Sequence, residues 1–557
     1  MALSTPPLTK LRKANIPWFK LATGFIGLLT SHWYGFDGIQ IRIYGLAYIS
    51  IFLIYYAEEF LAAFQDSQEP PLIPSHGIPF LGHVIVNRKT NHPIYTLQTL
   101  TARTIIVISP QLAAPIQRAS KSMSFYGMIL EVTKRLVDFD EPSMEIIRYN
   151  LDGEHGSTEG LMNESHNMVA SVLSPGPVLN SMSTMQLEKF SELLNPMIPG
   201  SESLSISLMD FVKRTFTTAN AFAIYGPQNP FAMHPELLSK FWEYEAGMIA
   251  VMANIFPWIT ARKPWLARKA INAALQEFVE KEYYKTASPM IQKRVAINLK
   301  HGLTTKMAGH AELILLFGII GNAVPTTFWF LANVFSRPEL LAQIRKETAT
   351  AVTTSSDGKE RVINVTKLKT TCPLLVSTYR ETLRKIANLS SVRLVTRTHA
   401  ITTPNHRPYL LKKSSIVQIA SGVIHSAPSV WGSDATEFVP TRFISTTTTS
   451  EQFSSSTASA ERTATALPKN VPSAAYRAFG GGSVICPGRH FAQSEILGFV
   501  ALCVWMFDVE DEKGGVMKCP ERDDGRIPLS VMKPVKEPQI RIRRRKGEED
   551  VAWRLEL

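Results

Sequence analysis

Apolar and polar positions divide the chain into an apolar leader, a proline-dense link and a long alternating region. The leader holds two apolar runs, Leu21–Phe36 and Ile43–Ala57, joined by a link with Asp37 and Arg42. Each run falls slightly short of the roughly 20 residues that cross a bilayer. The second lengthens if Arg42 snorkels to the interface, and Tyr44, Tyr48, Tyr55 and Tyr56 suit a membrane–water boundary. Residues 1–68 therefore read as a retained membrane anchor. A cleaved signal peptide is the competing reading, opposed by the tandem runs and the lack of a small-residue cleavage site. A single span puts Lys10, Arg12, Lys13 and Lys20 in the lumen, against the positive-inside tendency, whereas a two-segment hairpin keeps both ends cytosolic.

Glu69-Pro70-Pro71-Leu72-Ile73-Pro74, then Pro79 and Gly82-His83, stiffen the chain and stop helix formation. This stretch reads as a hinge leading into a catalytic domain over 69–557. Thr104–Ser109 has the β-branched composition of a strand and ends at Pro110. Most later segments carry helical periodicity, so the fold class is mainly α with small β-sheets. Ser445–Ala466 is rich in Ser, Thr and Ala and cannot bury a core, which predicts a disordered surface insertion. Leu313–Phe335 carries no charge over 23 positions. By length it fits a membrane span, but Asn322, Pro325, Thr326, Thr327 and Asn333 interrupt it, and a helix buried all round has the same composition.

Composition narrows the function. Apolar residues make up 45% of the 557, enough for a sizeable core. Lys and Arg number 59 against 47 acids, a formal charge of +12. No long basic run with interleaved aromatics exists, so no nucleic-acid partner is expected. The cluster Arg541, Arg543, Arg544, Arg545, Lys546 reads as a solvated tail. The four cysteines, Cys372, Cys486, Cys503 and Cys519, are widely spaced and form no CxxC pair, which argues against a disulfide framework or a zinc ribbon.

The richest stretch is Phe479-Gly480-Gly481-Gly482-Ser483-Val484-Ile485-Cys486-Pro487-Gly488-Arg489-His490-Phe491-Ala492. Three glycines let the backbone take positive φ and approach a flat object. A cysteine between that turn and a helix start sits in a field of unpaired N–H groups, which favour a thiolate, the form a soft metal ligand needs. The segment resembles the haem-binding loop of cytochromes P450, in the FGGGxxxCPGRxFA form common among fungal members. Val484 departs from it, because many members place Arg or His there against a haem propionate.

Other motifs follow in family order. Glu381-Thr382-Leu383-Arg384 matches ExxR, whose ends share a helix face. Phe438-Val439-Pro440-Thr441-Arg442-Phe443 matches F-x-P-x-R-F. The resemblance, covering roughly 70–530, implies several things. The fold is that of cytochrome P450, with Leu313–Phe335 as a long central helix over the haem. Cys486 is the thiolate ligand of haem b. Phe479, Gly482 and Arg489 belong to the haem loop, and Arg393 and His166 are propionate candidates. Glu381, Arg384 and Arg442 form a buried triad.

Most family monooxygenases carry an acid and a threonine in the central helix, relaying protons to bound dioxygen. Here Gly321-Asn322-Ala323-Val324-Pro325-Thr326 occupies that place, with Val324 for the acid and Pro325 for the threonine. Proline removes a donor and frees the Gly321 carbonyl, which with Asn322 can hold water; Thr326 offers a hydroxyl shifted by one position. Asn322, Pro325 and Thr326 are thus the catalytic candidates, and the pattern resembles sterol 7α-hydroxylases and prostacyclin synthases. Two enzymatic readings stand. One is a monooxygenase that takes O2 and electrons from NADPH-cytochrome P450 reductase. The other is a haem-thiolate isomerase acting on a peroxide or strained ring. A non-catalytic haem-binding protein is the third reading. The resemblance further implies a monomer on the endoplasmic reticulum membrane, its catalytic domain facing the cytosol. A lipophilic substrate is expected, terpenoid, sterol-like or polyketide-derived, from fungal secondary metabolism. Its pocket is expected from 125–152, 195–263 and 317–327.

Overall fold

A computed structural model describes residues 65–73, 92–98, 102–151, 153, 156, 159–200, 202–388, 390–403, 406–446, 462–463, 467–525 and 531–557. The apolar runs at 21–36 and 43–57 lie outside the described residues. The chain divides into two compact units, one from 1–125 with 391–420, the other from 126–390 with 421–557.

The smaller unit centres on a five-stranded sheet of β1 (Ile94–Gln98), β2 (Arg103–Val107), β3 (Met123–Ser124), β4 (Ser390–Val395) and β5 (Ile416–Ala420), in the order β1-β2-β5-β4-β3. The strand expected at 104–109 is β2; it ends two residues early, and Pro110 opens a helix. The described part of the proline-dense link is fastened to this sheet instead of hanging as a free hinge. The Ile73 amide donates to the Thr96 carbonyl at 3.0 Å and the Thr96 amide to that of Pro71 at 2.8 Å. Glu69, 3% exposed, holds the segment down through ion pairs to Arg103 and Lys412.

The larger unit is helical, as the periodicity predicts. Its site is built by α1 (Leu161–Val172), α2 (Pro177–Leu194), α3 (Leu208–Tyr225), α4 (Pro289–Lys300), α5 (Thr305–Phe335), α6 (Pro373–Ile386) and α7 (Arg489–Met506). The 31-residue α5 starts where the Thr304 hydroxyl accepts from the Met307 amide. Length and composition would let α5 cross a membrane, but 67% of its most apolar window is buried inside the protein. Gly309 lets it approach a neighbour closely: a Cβ there would stand 2.6 Å from the Leu275 carbonyl oxygen. Helix α6 opens at Pro373, which lacks the amide the first turn would leave unpaired. Glu347 takes the next two amides, from Leu374 at 2.8 Å and Leu375 at 2.9 Å, where a carboxylate also meets the positive end of the helix dipole.

One reading changes here. The basic cluster near the C-terminus is no solvated tail. Gln539–Arg544 is a strand between Phe507–Asp511 and Ser203–Ser207, because Ile540 and Ile542 alternate into the core. Arg541 and Arg543 pair with Glu510 at 2.8 and 2.7 Å. Within the expected insertion, Ser445–Thr446 pairs antiparallel with Arg462–Thr463; what joins them lies outside the described residues.

Candidate active site

A cavity of about 330 Å³ in the larger unit is lined on one side by α5 and on the other by the cysteine loop, α6 and α7. Cys486 stands in its wall with Phe479, Pro487 and Gly488. Gly480 and Gly482 take φ of +76° and +70°, a region costly for side-chain-bearing residues. The turn they make lets the Cys486 amide donate to the Phe479 carbonyl at 2.9 Å. A Cβ on Gly488 would stand 3.7 Å from the Cys486 sulfur. The amides of Gly488 and Arg489, at the start of α7, point at that sulfur. The Arg489 guanidinium turns back to the Cys486 carbonyl at 3.1 Å, and neither Arg489 nor Gly482 lines the cavity.

Cys486 is exposed by surface area, yet burial raises its thiol above the usual range, with the two amides and the Arg489 charge opposing. Both follow from a side chain that faces an enclosed space instead of bulk water. Among the described residues no three His, Cys, Asp or Glu side chains gather as a metal site. A single cysteine, amides aimed at its sulfur and a largely apolar cavity in front of it together fit an iron macrocycle that Cys486 would hold as a thiolate.

Behind the loop lies the triad, brought together as the motifs predict. The Arg384 guanidinium donates to both Glu381 oxygens at 2.7 Å, and Arg442 Nε reaches Glu381 Oε1 at 3.1 Å. Arg384 also donates to the carbonyls of His425, Ala435 and Glu437 at 2.6, 2.7 and 3.0 Å. The Glu381 and Arg384 side chains are fully buried. This network pins the segment 425–443 to α6.

Asn322 and Thr326 of α5 line the cavity, while Pro325 is buried within the helix and does not. Pro325 denies the Gly321 carbonyl its usual i+4 partner. The Thr326 hydroxyl donates to the Asn322 carbonyl at 2.7 Å, and that of Thr327 to Ala323 at 2.9 Å. Thr326 therefore presents lone pairs, not its proton, to the cavity. His166 in α1 is half-buried and its ring meets Tyr126 edge-on, centroids 6.1 Å apart. It precedes Val169 and Leu173, which line the cavity, by one and two turns, and burial lowers its pKa. Arg393 belongs to the smaller unit. It is 4% exposed, lies 5.1 Å from the Phe125 ring centroid and donates to the Val392 carbonyl at 2.7 Å. Burial lowers its pKa, and no carboxylate among the described residues pairs with it.

The expected pocket segments contribute unequally. Gly318–Thr326 supplies most of the α5 side and Ile224 represents the second segment, while among the described residues 125–152 supplies none of the lining. Sequence reading missed Tyr379, Leu383, Phe491 and Glu495, all in the lining. Tyr379, Leu383 and Ala387 recur four residues apart beside ExxR, a signal that was available. Glu495 is the charge that directly precedes the uncharged run Ile496–Met506. Burial pushes its carboxyl up to about 8, against hydrogen bonds from Gln186 and Asn220. His425 is a further residue that no motif singled out. It is a buried hub, facing the Ala387 carbonyl at 3.1 Å through Nδ1 and accepting the Arg477 amide at 2.9 Å through Nε2. Burial pushes it down to about 3, so it is neutral.

The residues of this cysteine-walled cavity would fit a haem held by one thiolate, and comparison with known sequences gives the family. The cytochrome P450 family model matches residues 77–540, and the chain belongs to that family. Cytochrome P450 monooxygenase nodJ of Hypoxylon pulicicidum is 28% identical over 505 residues, 88% of this chain and 92% of its own length. A cytochrome P450 monooxygenase of Gibberella zeae is 28% identical over 511 residues, 88% and 91% of the two chains. Cholesterol 7-alpha-monooxygenase of Cricetulus griseus is 24% identical over 409 residues, 69% and 76%.

Proposed function

We propose that the chain is a monooxygenase that oxidises a lipophilic small molecule with O2 and electrons from NADPH-cytochrome P450 reductase. The observation that carries this reading is the cavity itself: Cys486 on one wall, an apolar helix face with only Asn322 and Thr326 as polar groups on the other. Haem b, when bound, supplies the oxygen chemistry. Cys486 would hold the iron. The buried Arg393, with no carboxylate partner among the described residues, suits a propionate, and His166 is the second candidate. The Asn322 amide and the Thr326 lone pairs can hold a water on the α5 side, where Val324 leaves no acid. The apolar lining excludes bulk water and suits a terpenoid, sterol-like or polyketide-derived substrate. The relatives named monooxygenases in fungi support a place in fungal secondary metabolism.

Membrane association at the endoplasmic reticulum belongs to the same proposal. Beyond the two apolar runs, Ile255, Phe256, Trp258 and Ile259 are 63, 61, 51 and 70% exposed and adjoin Arg262 and Lys263, a composition suited to a lipid surface.

One observation favours a second reading. Val324 is buried and apolar where a proton-relaying acid would stand, which suits rearrangement of a peroxide without reductant. Turnover separates the two. Product that requires NADPH and reductase supports monooxygenation; product from a peroxide substrate without reductant supports rearrangement.

A further inference from the structure

Helix α5 carries three glycines, Gly309, Gly318 and Gly321, and a glycine inside a helix costs more conformational entropy than an alanine. Two of them have a steric reason. A Cβ on Gly309 would stand 2.6 Å from the Leu275 carbonyl oxygen, and one on Gly321 would stand 2.7 Å from Cε2 of the Phe317 ring. Gly318 has no such reason. A Cβ there would meet nothing within 4 Å outside its own stretch of helix, and its φ is not positive.

What Gly318 faces is the cavity. From Met307 to Phe335 every other residue of α5 is buried or half-buried, whereas Gly318 is exposed. It lines the cavity together with Leu315, Ile319, Asn322 and Ala323. Asn322 follows it by one turn on the same face. Leu315, three residues before, and Ile319, one residue after, carry large apolar side chains, so the missing side chain leaves a notch in an apolar wall. The helix gives up stability at this point and gains open space on the side of the ligand. Water in such a notch finds few polar partners, whereas an apolar group placed there leaves water at a gain.

We propose that Gly318 is a specificity-determining residue: the space its missing side chain leaves is reserved for a projecting part of a bulky, ring-based lipophile. A small or slender molecule has no use for the notch. A branched or polycyclic one is too thick to lie against α5 without it. The inference rests on the haem-thiolate monooxygenase reading and adds to it the bulk of the substrate that the cavity admits.

The test uses full-length holoprotein and two iron-binding probes of different bulk: imidazole, and clotrimazole, an imidazole that carries three aryl groups. Binding is read from the Soret shift in wild type, Gly318→Ala and Gly318→Leu, and thermal unfolding is recorded for each. Wild type binds both probes. Gly318→Leu weakens clotrimazole about tenfold, and Gly318→Ala, the milder change should Gly318→Leu fail to load haem, weakens it about threefold. Imidazole binding stays as in wild type. The unfolding midpoint of Gly318→Ala rises, because a better helix former enters open space. Unchanged clotrimazole binding in the bulkiest variant that loads haem overturns the inference. So does an equal loss for imidazole, a lowered midpoint in Gly318→Ala, or a wild type that takes imidazole and refuses clotrimazole. A wild type whose reduced, CO-bound form lacks the red-shifted Soret band overturns the haem-thiolate reading itself.

Discussion

The two walls of the cavity are held by different forces. The cysteine wall is backed by ionic and polar groups: the Glu381–Arg384–Arg442 triad, neutral His425 and the Glu495–Gln186–Asn220 cluster. The α5 wall is apolar, with Asn322 and Thr326 as its polar exceptions. Buried charge is costly to set down and costlier to break, so it fixes geometry. Apolar packing tolerates exchange of one shape for another. The cysteine wall would therefore fix where an iron held by Cys486 sits, and the α5 wall would decide what it meets.

Breaking the stiff wall has the largest expected effect. Arg384→Ala strands the fully buried Glu381 carboxylate and costs about 3–5 kcal/mol, a large share of a typical 5–15 kcal/mol stability. Thermal unfolding should show a collapse, with haem content falling in parallel. Arg442→Ala leaves Glu381 its Arg384 partner and should cost less; equal losses would mean that the triad does not act as described.

The α5 wall should respond in chemistry instead of stability. Asn322→Ala removes the amide that we propose holds water, and product formed per NADPH consumed is expected to fall roughly tenfold, about 1.4 kcal/mol in a barrier. The CO-bound spectrum stays as in wild type. A changed spectrum with unchanged product yield would reverse the division of labour between the walls.

That division also explains what the sequence revealed. Cys486, Glu381, Arg384 and Arg442 were legible because buried ionic and ligand chemistry tolerates few residue types at fixed spacing. The pocket was only partly legible, because apolar lining leaves no motif: Val169, Leu173 and Met290 look like ordinary core. The basic strand Gln539–Arg544 was misread because its arginines mask the buried alternation of Ile540 and Ile542. Glu69 likewise hid a tethered segment inside a proline-rich one, since its partners Arg103 and Lys412 lie far off in sequence.

The smallest expected effect concerns pH. The Glu495 carboxyl is raised from 4.5 to about 8 by burial. Folding thus favours its protonated form. Its contribution to stability is complete below pH 4.5 and is lost as pH rises through about 8. Glu495→Gln, uncharged at every pH, should flatten that part of the stability profile. An identical profile in the variant would show that Glu495 is not held neutral.

The most direct test of the account is the reduced, CO-bound spectrum of the holoprotein and of Cys486→Ala. The account predicts the red-shifted Soret band of thiolate ligation in the wild type and its loss in the variant. A wild type without that band, or a variant that keeps it, would contradict Cys486 as the ligand.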